Sequence, residues 1–180
     1  MHIAFANEVA LICEAVNGDV WKVRELVNKV PERQMHLPGS GVGGHCISKD
    51  PWLLAYAAKE NVPLHLIPAA RTVNDSMPLH VAELLEDALT AAGLSLAGAR
   101  VAVLGYAYLE ESDDTRNSPS DVLVDYLRAS GAEVVVHDPW VKDYQADLWE
   151  RAWGCDAAVV MVGHRAYREI DLEQLGAVLA

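Results

Sequence analysis

The fold is decided by the stretch Val101-Ala102-Val103-Leu104-Gly105, in which a continuous apolar run ends at a glycine. An apolar run of this length is typical of a buried strand in a parallel sheet. Two similar runs follow, at Val134-Val135-Val136 and from Ala157 to Val162. Between the first two runs, Ser118-Pro119 is predicted to begin a helix. Strand, helix and strand in this order favour right-handed crossovers and an open, Rossmann-like parallel sheet.

The residues before this stretch are predicted to be helical. A core-facing stripe is predicted from apolar residues at steps of three and four, namely Ile3, Ala6, Ala10, Cys13 and Val16. Asp19 is a candidate N-cap of a second short helix, and Asp50-Pro51 are predicted to open a third as its N-cap and first-turn proline. A longer stripe runs from Val73 to Leu89, where Pro78 either kinks one helix or begins another.

These elements predict two domains of the α/β class. An all-helical central domain is expected over residues 1–95, followed by a Rossmann-like parallel-sheet domain over residues 96–180. The segment from Gly93 to Gly98 is the predicted boundary, because the apolar period changes there. A chain of 180 residues fits one large or two small domains, and its 52% of hydrophobic residues can supply the cores.

Composition and charge exclude several classes of protein. A formal net charge of -12 argues against nucleic acid or an anionic membrane as partner, because both require cationic surface. No apolar run approaches the ~18 residues of a membrane span, and no secretory signal is expected at the start of the chain. The three cysteines, Cys13, Cys46 and Cys155, are far apart, so neither a disulfide framework nor a thiolate zinc site is predicted. We therefore expect a reduced, cytoplasmic protein without a metal.

A glycine-rich loop matches the dinucleotide-binding fingerprint only in its letters. The glycines in the G-x-G-x-x-G spacing are Gly39, Gly41 and Gly44. That motif needs a strand before it and a helix that opens inside it, so that the pyrophosphate lies at the helix N-terminus. Residues 32–38 do not have the pattern of a buried strand, and no helix is predicted before Asp50. A flexible linker is the plainer alternative, but the loop leads directly into His45-Cys46, which favours a loop whose amides close around a ligand.

The loop and its surroundings resemble a known family. Residues 38–51, PGSGVGGHCISKDP, resemble the active-site loop of the UDP-glucose/GDP-mannose dehydrogenase family. Further blocks that resemble the family, in its order and spacing, are residues 5–8, 70–78, 101–105 and 112–119. His45 and Ile47 look more like the branch that acts on UDP-N-acetylhexosamines, such as UDP-N-acetylmannosamine, than the UDP-glucose branch.

The resemblance implies oxidation of a sugar C6 alcohol to a carboxylate with two NAD molecules and two hydride transfers. It assigns Cys46 as the nucleophile, whose thiohemiacetal is oxidised to a thioester. It assigns Asp50 as the carboxylate that orients or activates the hydrolytic water. The loop residues that it places against the substrate are Gly39, Gly41, Val42, Gly43, Gly44 and His45. Cys13 and Cys155, by contrast, lie in apolar patterns typical of core residues.

Three cations are further candidates for binding the substrate. Lys49 is compatible with either a phosphate contact or a solvated side chain. Arg33 lies near the position where the family carries an arginine that reaches the ligand across a dimer interface. Arg116 precedes a helix N-terminus in the domain that the family uses for the UDP half of its substrate, and Asp113 and Asp114 are expected to brace it rather than to touch phosphate.

Some parts that the resemblance implies are not expected in this chain. The NAD-binding domain, with a lysine and an asparagine that assist the chemistry, would precede Phe5. Leu109 stands where many members carry a lysine, and a final strand with its arginine would follow Ala180. One hypothesis is therefore a fragment of an NAD-dependent oxidoreductase, active only with an NAD domain. The other is a non-catalytic module for nucleotide-sugar binding or dimerisation. A homodimer through the helical domain is expected from its apolar stripes.

Overall fold

The computed structural model describes residues 1–179, which form helices and one three-stranded parallel sheet. The helices and strands are α1 (His2–Ala15), α2 (Val20–Val27), α3 (Cys46–Ala58), α4 (Leu66–Ala91), β1 (Arg100–Leu104), α5 (Pro119–Ala129), β2 (Glu133–His137), α6 (Leu148–Ala152), β3 (Ala157–Val160), α7 (Arg165–Arg168) and α8 (Leu172–Val178). The predicted α/β fold is confirmed. The chain divides into two compact units: unit 1 is Met1–Val42 with Cys46–Met77, and unit 2 is Gly43–His45 with Pro78–Ala180. The predicted boundary at residues 95/96 lies in the turn after α4.

Unit 1 is helical, and α1 buries most of its predicted stripe. The buried residues of α1 are Ala4, Ala6, Asn7, Ala10 and Cys13. Val16, which was predicted on the same face, is exposed because α1 ends at Ala15. Asp19 caps α2 as predicted, since its Oδ1 accepts hydrogen bonds from the N–H groups of Trp21 at 2.9 Å and Lys22 at 3.2 Å.

The third helix begins earlier than the sequence predicts. Asp50 and Pro51 were predicted as its N-cap and first residue, but α3 already begins at Cys46 and contains Pro51. Pro51 lacks the N–H group that would bond to the carbonyl of Ile47, and the helix continues with that one bond missing. The early start also removes one reason for rejecting a dinucleotide site at Gly39 to Gly44. The other reason stands, because residues 33–39 contain no strand.

Unit 2 is built on the predicted parallel sheet, with strand order β2-β1-β3. The central strand β1 pairs from Val101 with Val134 of β2 and with Ala157 of β3. Ser118 caps α5 as predicted, because its side chain accepts from the N–H of Ser120. Gly105 directly follows β1 and has a φ of +95°, and a Cβ at that position would lie 2.6 Å from Cβ of Val162. Glycine is therefore required at the end of β1.

Helix α4 is continuous through Pro78, so a single helix forms where two were possible. Within unit 2, its residues Ala82, Leu85 and Leu89 are buried in the core that covers the sheet. Leu84 and Ala88, which were predicted on the same stripe, are exposed. Among residues 1–179, no helix is both long and apolar enough to cross a membrane.

Candidate active site

Cys46 and Asp50 line one cavity within unit 1. Cys46 is the first residue of α3 and is exposed, whereas Cys13 and Cys155 are buried. Asp50 follows one helical turn later, so the two side chains lie on the same face of the helix. Asp50 is largely exposed, and its Oδ1 lies 3.4 Å from Nζ of Lys49. The cavity that they line has a volume of about 480 Å³, which is large enough for a small ligand.

The rest of this cavity is mainly apolar. Its other lining residues are Met1, Ile47, Pro51, Leu54, Ile67, Ala70, Arg71 and Asn74. Four polar groups interrupt this apolar lining, namely the thiol of Cys46, the carboxylate of Asp50, the guanidinium of Arg71 and the amide of Asn74. A few convergent polar groups in an apolar cleft are the usual composition of a binding site for a small molecule.

A buried pair of asparagines connects this wall to the glycine loop. Asn7 is fully buried on α1, and its Nδ2 donates to Oδ1 of Asn74 on α4 at 3.0 Å. Its Oδ1 accepts from the N–H of Gly39 at 2.9 Å. Since buried amides are costly without partners, this pairing fixes α1, α4 and the start of the loop in one arrangement. Asn7 was not predicted to have this role, although a polar residue between Ile3 and Ala10 on a buried face is a signal in the sequence.

The approach to the loop is held by α2. Asn28 exchanges two hydrogen bonds with the backbone of Met35, and Nε of Arg24 also donates to the Met35 carbonyl. Gly39 and Gly41 then line a second cavity, of about 360 Å³. These two predicted ligand residues therefore border a different cavity of unit 1 from the one at Cys46. Arg33 is exposed on the segment before the loop.

The end of the loop belongs to unit 2, where Gly43 and Gly44 lie against Tyr108. A Cβ on Gly43 would lie 2.3 Å from Cβ of Tyr108, so only glycine fits there. The N–H of Gly44 donates to the carbonyl of Arg116 at 2.7 Å, and Nδ2 of Asn117 donates to the carbonyl of Gly44 at 3.0 Å. The predicted residues Gly43, Gly44 and Arg116 are thereby brought together.

Arg116 is braced by Asp114, as predicted. Its Nε and Nη2 donate to the two carboxylate oxygens of Asp114 at distances of 2.9 and 2.6 Å. These side-chain bonds and the bond from the Arg116 backbone N–H lower the pKa of Asp114 to about 2. Part of the charge of Arg116 is therefore neutralised at neutral pH, and its guanidinium is held in a fixed direction at the end of the loop that precedes α5.

Asp138 is a structural residue at the carboxyl ends of the strands. Its carboxylate is fully buried and accepts from the N–H groups of Tyr106, Ala107, Trp140 and Val141, and it lies 3.2 Å from Nε2 of His164. Burial alone would raise the pKa of Asp138, but the backbone N–H groups outweigh it and hold that pKa below its ordinary value. Asp138 therefore fastens two loops together.

The described residues do not fit a dinucleotide or a metal centre. The G-x-G-x-x-G spacing at Gly39 to Gly44 has no strand before it, and β1 is followed by Gly105 but not by a glycine-rich turn. Among residues 1–179, no group of three or more His, Cys, Asp and Glu side chains could hold a metal ion.

Two family models match the chain. Residues 1–76 match the central domain of the UDP-glucose/GDP-mannose dehydrogenase family, and residues 102–180 match the UDP binding domain of that family. The chain belongs to the UDP-glucose/GDP-mannose dehydrogenase family. The predicted membership is thus confirmed over most of the sequence, and the two matched regions correspond to the helices that carry Cys46 and to the parallel sheet.

Relatives within the UDP-glucose/GDP-mannose dehydrogenase family cover nearly the whole chain. The UDP-N-acetyl-D-mannosamine dehydrogenase of Pyrococcus horikoshii is 41% identical over 176 residues, which are 98% of this chain and 42% of the relative. The NDP-N-acetyl-D-galactosaminuronic acid dehydrogenase of Ralstonia nicotianae is 33% identical over 184 residues, with 97% of this chain and 42% of the relative covered. The chain therefore spans about two fifths of the length of these relatives.

A solved structure of this family has the same fold. The UDP-N-acetyl-D-mannosamine dehydrogenase structure from Pyrococcus horikoshii matches with a TM-score of 0.93 at 39% identity, over 99% of this chain and 42% of that chain. An NDP-N-acetyl-D-galactosaminuronic acid dehydrogenase from Methanosarcina mazei matches with a TM-score of 0.92 at 37% identity, over 98% and 41% of the two chains. The helical unit and the parallel sheet are thus those of nucleotide-sugar dehydrogenases.

Proposed function

We propose that this chain supplies the thiol and the UDP-binding domain of an NAD-dependent dehydrogenase that oxidises C6 of a UDP-N-acetylhexosamine to the uronic acid. The observation that carries the proposal is the position of Cys46, which is exposed at the start of α3 in one cavity with Asp50. The UDP-N-acetylhexosamine is proposed as substrate because relatives that cover nearly the whole chain carry the names of such enzymes.

Cys46 has a defined part in this reaction. Its thiolate adds to the carbonyl carbon of the C6 aldehyde, whose oxygen takes up a proton, and a tetrahedral thiohemiacetal results. Loss of a hydride from that carbon and of the proton from its hydroxyl group leaves a thioester. A free aldehyde would be a poor hydride donor in this step. Water then attacks the thioester carbon, and Asp50 accepts one proton from the water. The thiolate of Cys46 departs, and the second proton of the water passes to solvent as the carboxylate forms.

The hydride acceptor is proposed to be NAD bound outside the described residues. The family resemblance implies NAD, but no glycine-rich turn between a strand and a helix is present in residues 1–179. The chain's own share of the reaction is therefore to form the adduct and to hydrolyse the thioester. We expect no NADH production by the chain alone.

Unit 2 is proposed to bind the UDP half of the substrate. Arg116 lies just before α5, at the carboxyl-end side of the sheet where α/β folds bind ligands. Two N–H groups of Arg116 donate to the two oxygens of Asp114, and this bidentate pair holds the guanidinium in a fixed orientation. Lys49 and Arg33 stay candidates for phosphate contacts, and both are exposed.

A homodimer and a cytoplasmic location are proposed as well. Unit 1 exposes many large apolar side chains, including Phe5, Ile12, Trp52, Leu53 and Leu54. Exposed apolar surface of this extent is typical of an interface. The stripe on α4 no longer supports the dimer in full, because its second part is buried in unit 2. The cysteines Cys13, Cys46 and Cys155 are all free, which agrees with a reducing compartment.

The proposal is tested by alkylation of the native chain with iodoacetamide near neutral pH, followed by peptide mapping. Cys46 should be labelled well before Cys13 and Cys155, because burial blocks access to both and raises the pKa of the Cys155 thiol. A UDP-N-acetylhexosamine should slow the labelling of Cys46, whereas the free sugar should not. Preferential labelling of a buried cysteine, or labelling of Cys46 that no UDP-sugar slows, would contradict the proposal.

The second candidate is a non-catalytic nucleotide-sugar-binding or dimerisation module. It is favoured by the one observation that the described residues contain no fitting dinucleotide site. Such a module would bind the UDP-sugar without forming a covalent bond between Cys46 and a C6 aldehyde. Detection of that bond therefore separates the two candidates.

A further inference from the structure

Arg71 is a buried cation with spare hydrogen-bond donors in the wall of the Cys46 cavity. It lies on α4, and only 8% of its side chain is exposed. Its Nη2 donates to the carboxylate of Asp75, one turn later on the same helix. Its Nε and Nη1 are buried without a hydrogen-bond partner among residues 1–179. Both Arg71 and Cys46 line the same cavity.

This arrangement is unusual for a buried guanidinium. Buried donors are almost always satisfied, and a charged donor without a partner is particularly unfavourable. An arginine recognises a carboxylate best when two of its N–H groups bind both oxygens. Asp75 is half-exposed, with 55% of its side chain accessible, and it already reaches Nη2. A carboxylate that enters from the cavity can thus compete with Asp75 for Nη2 and add a bond to Nη1.

The proposed reaction at Cys46 indicates which carboxylate would bind to Arg71. The proposed substrate is neutral at C6, whereas the product carries a full negative charge at that carbon. We infer that Arg71 is the carboxylate-binding residue of the Cys46 cavity, which therefore binds a C6 uronate in preference to the C6 alcohol. This inference rests on the proposed function, since it names the group that the same cavity retains after oxidation.

The first test needs no nucleotide sugar. Iodoacetate and iodoacetamide alkylate a thiolate by the same displacement, in which sulfur bonds to the CH₂ carbon and iodide leaves. Their rate ratio at Cys46, relative to the ratio for glutathione, reports whether a carboxylate binds beside the thiol. We expect the ratio to be raised about tenfold in the wild-type chain, since a hydrogen bond to a charged group has that effect.

Variants of three residues separate a local effect from general charge. Arg71→Met should return the ratio to that of glutathione, and Asp75→Asn should raise it further because the competing carboxylate is gone. Arg128→Met removes one exposed cation of α5 and should leave the ratio unchanged. A wild-type ratio equal to that of glutathione, or a raised ratio that Arg71→Met does not change, would overturn the inference.

The second test uses the wild-type chain, so it does not depend on whether Arg71→Met folds. A UDP-N-acetylhexosaminuronate should protect Cys46 from iodoacetamide at a concentration about tenfold below that needed for the parent UDP-N-acetylhexosamine. Equal protection by both would overturn the inference and leave the proposed function standing. Protection by neither would contradict the proposed function, and the iodoacetate ratio would still decide the role of Arg71.

Discussion

Gly43 is the residue at which an added methyl group has the clearest consequence. In Gly43→Ala, the new Cβ would lie 2.3 Å from Cβ of Tyr108 and 2.8 Å from the carbonyl oxygen of Asn117. Both neighbours belong to the packed loop of unit 2, so the loop must move. We expect a loss of about 1–3 kcal/mol in the free energy of unfolding, as for other overpacked sites. Urea unfolding followed by circular dichroism measures it.

Gly39 provides the matched control in the same loop. A Cβ at Gly39 would meet no atom within 4 Å, and its backbone N–H bond to Asn7 does not depend on the side chain. Gly39→Ala should therefore change the free energy of unfolding by less than about 0.5 kcal/mol. Similar losses in both variants would contradict the packing of Gly43 against Tyr108, as would a Gly43→Ala variant as stable as the wild type.

The burial of some single residues could be predicted from the sequence, but the roles of others could not. The burial of Cys13 and Cys155 was predicted, because an apolar pattern is local to the sequence. The roles of Asn7 and Arg71 were not. Each depends on a partner, or on the lack of one, that is brought near only by the folded helices. A polar residue on an apolar face signals such a role, but it does not identify the partner.

Among the elements, the ends of β1 and β2 are joined by Asp138. Its carboxylate accepts from backbone N–H groups in two loops. Those of Tyr106 and Ala107 lie in the loop after β1, and those of Trp140 and Val141 lie in the loop after β2. In Asp138→Asn, one oxygen becomes an NH₂ group that faces these donors. We expect a loss of about 3 kcal/mol in the free energy of unfolding at pH 7.

The same carboxylate predicts a dependence of stability on pH. In the folded chain, the pKa of Asp138 lies below its ordinary value. In the unfolded chain, the pKa of an aspartate is near 3.9. Its contribution is therefore complete above about pH 5 and is lost as the pH falls through the folded pKa. The difference in the free energy of unfolding between wild type and Asp138→Asn should become smaller below about pH 4. Asp143→Asn, at an exposed position, is the control. A difference that stays constant with pH would contradict the assignment.

The ends of helices and strands were predicted correctly where a single residue determines them. Ser118 as a cap and Gly105 after β1 were both read correctly, because capping and left-handed backbone depend on the residue itself. The start of α3 was predicted five residues too late, at Pro51 instead of Cys46. Aspartate before proline is a frequent helix start, but it is only a preference. The helix forms around Pro51 and loses one hydrogen bond.

At the scale of the whole molecule, a homodimer is predicted from the outer face of α1. Phe5 and Ile12 on this face are 59% and 56% exposed. Sedimentation at micromolar concentration should show a dimer, and Phe5→Asp combined with Ile12→Asp should shift it to monomer without loss of helix content. Glu8→Gln, an exposed position of the same helix, should leave the dimer intact. A well-folded wild-type monomer would contradict this prediction.

Cys46 is proposed to bond to the C6 carbon of a UDP-sugar. This bond is detected by ¹³C NMR of the chain mixed with a UDP-N-acetylhexosamine-6-aldehyde that is labelled at C6. We predict a new signal from a tetrahedral carbon bonded to sulfur, which Asp50→Asn retains because that residue acts only in hydrolysis. Cys46→Ser should abolish the signal while UDP-sugar binding persists. Absence of the signal in the wild type, or its persistence in Cys46→Ser, would contradict the account.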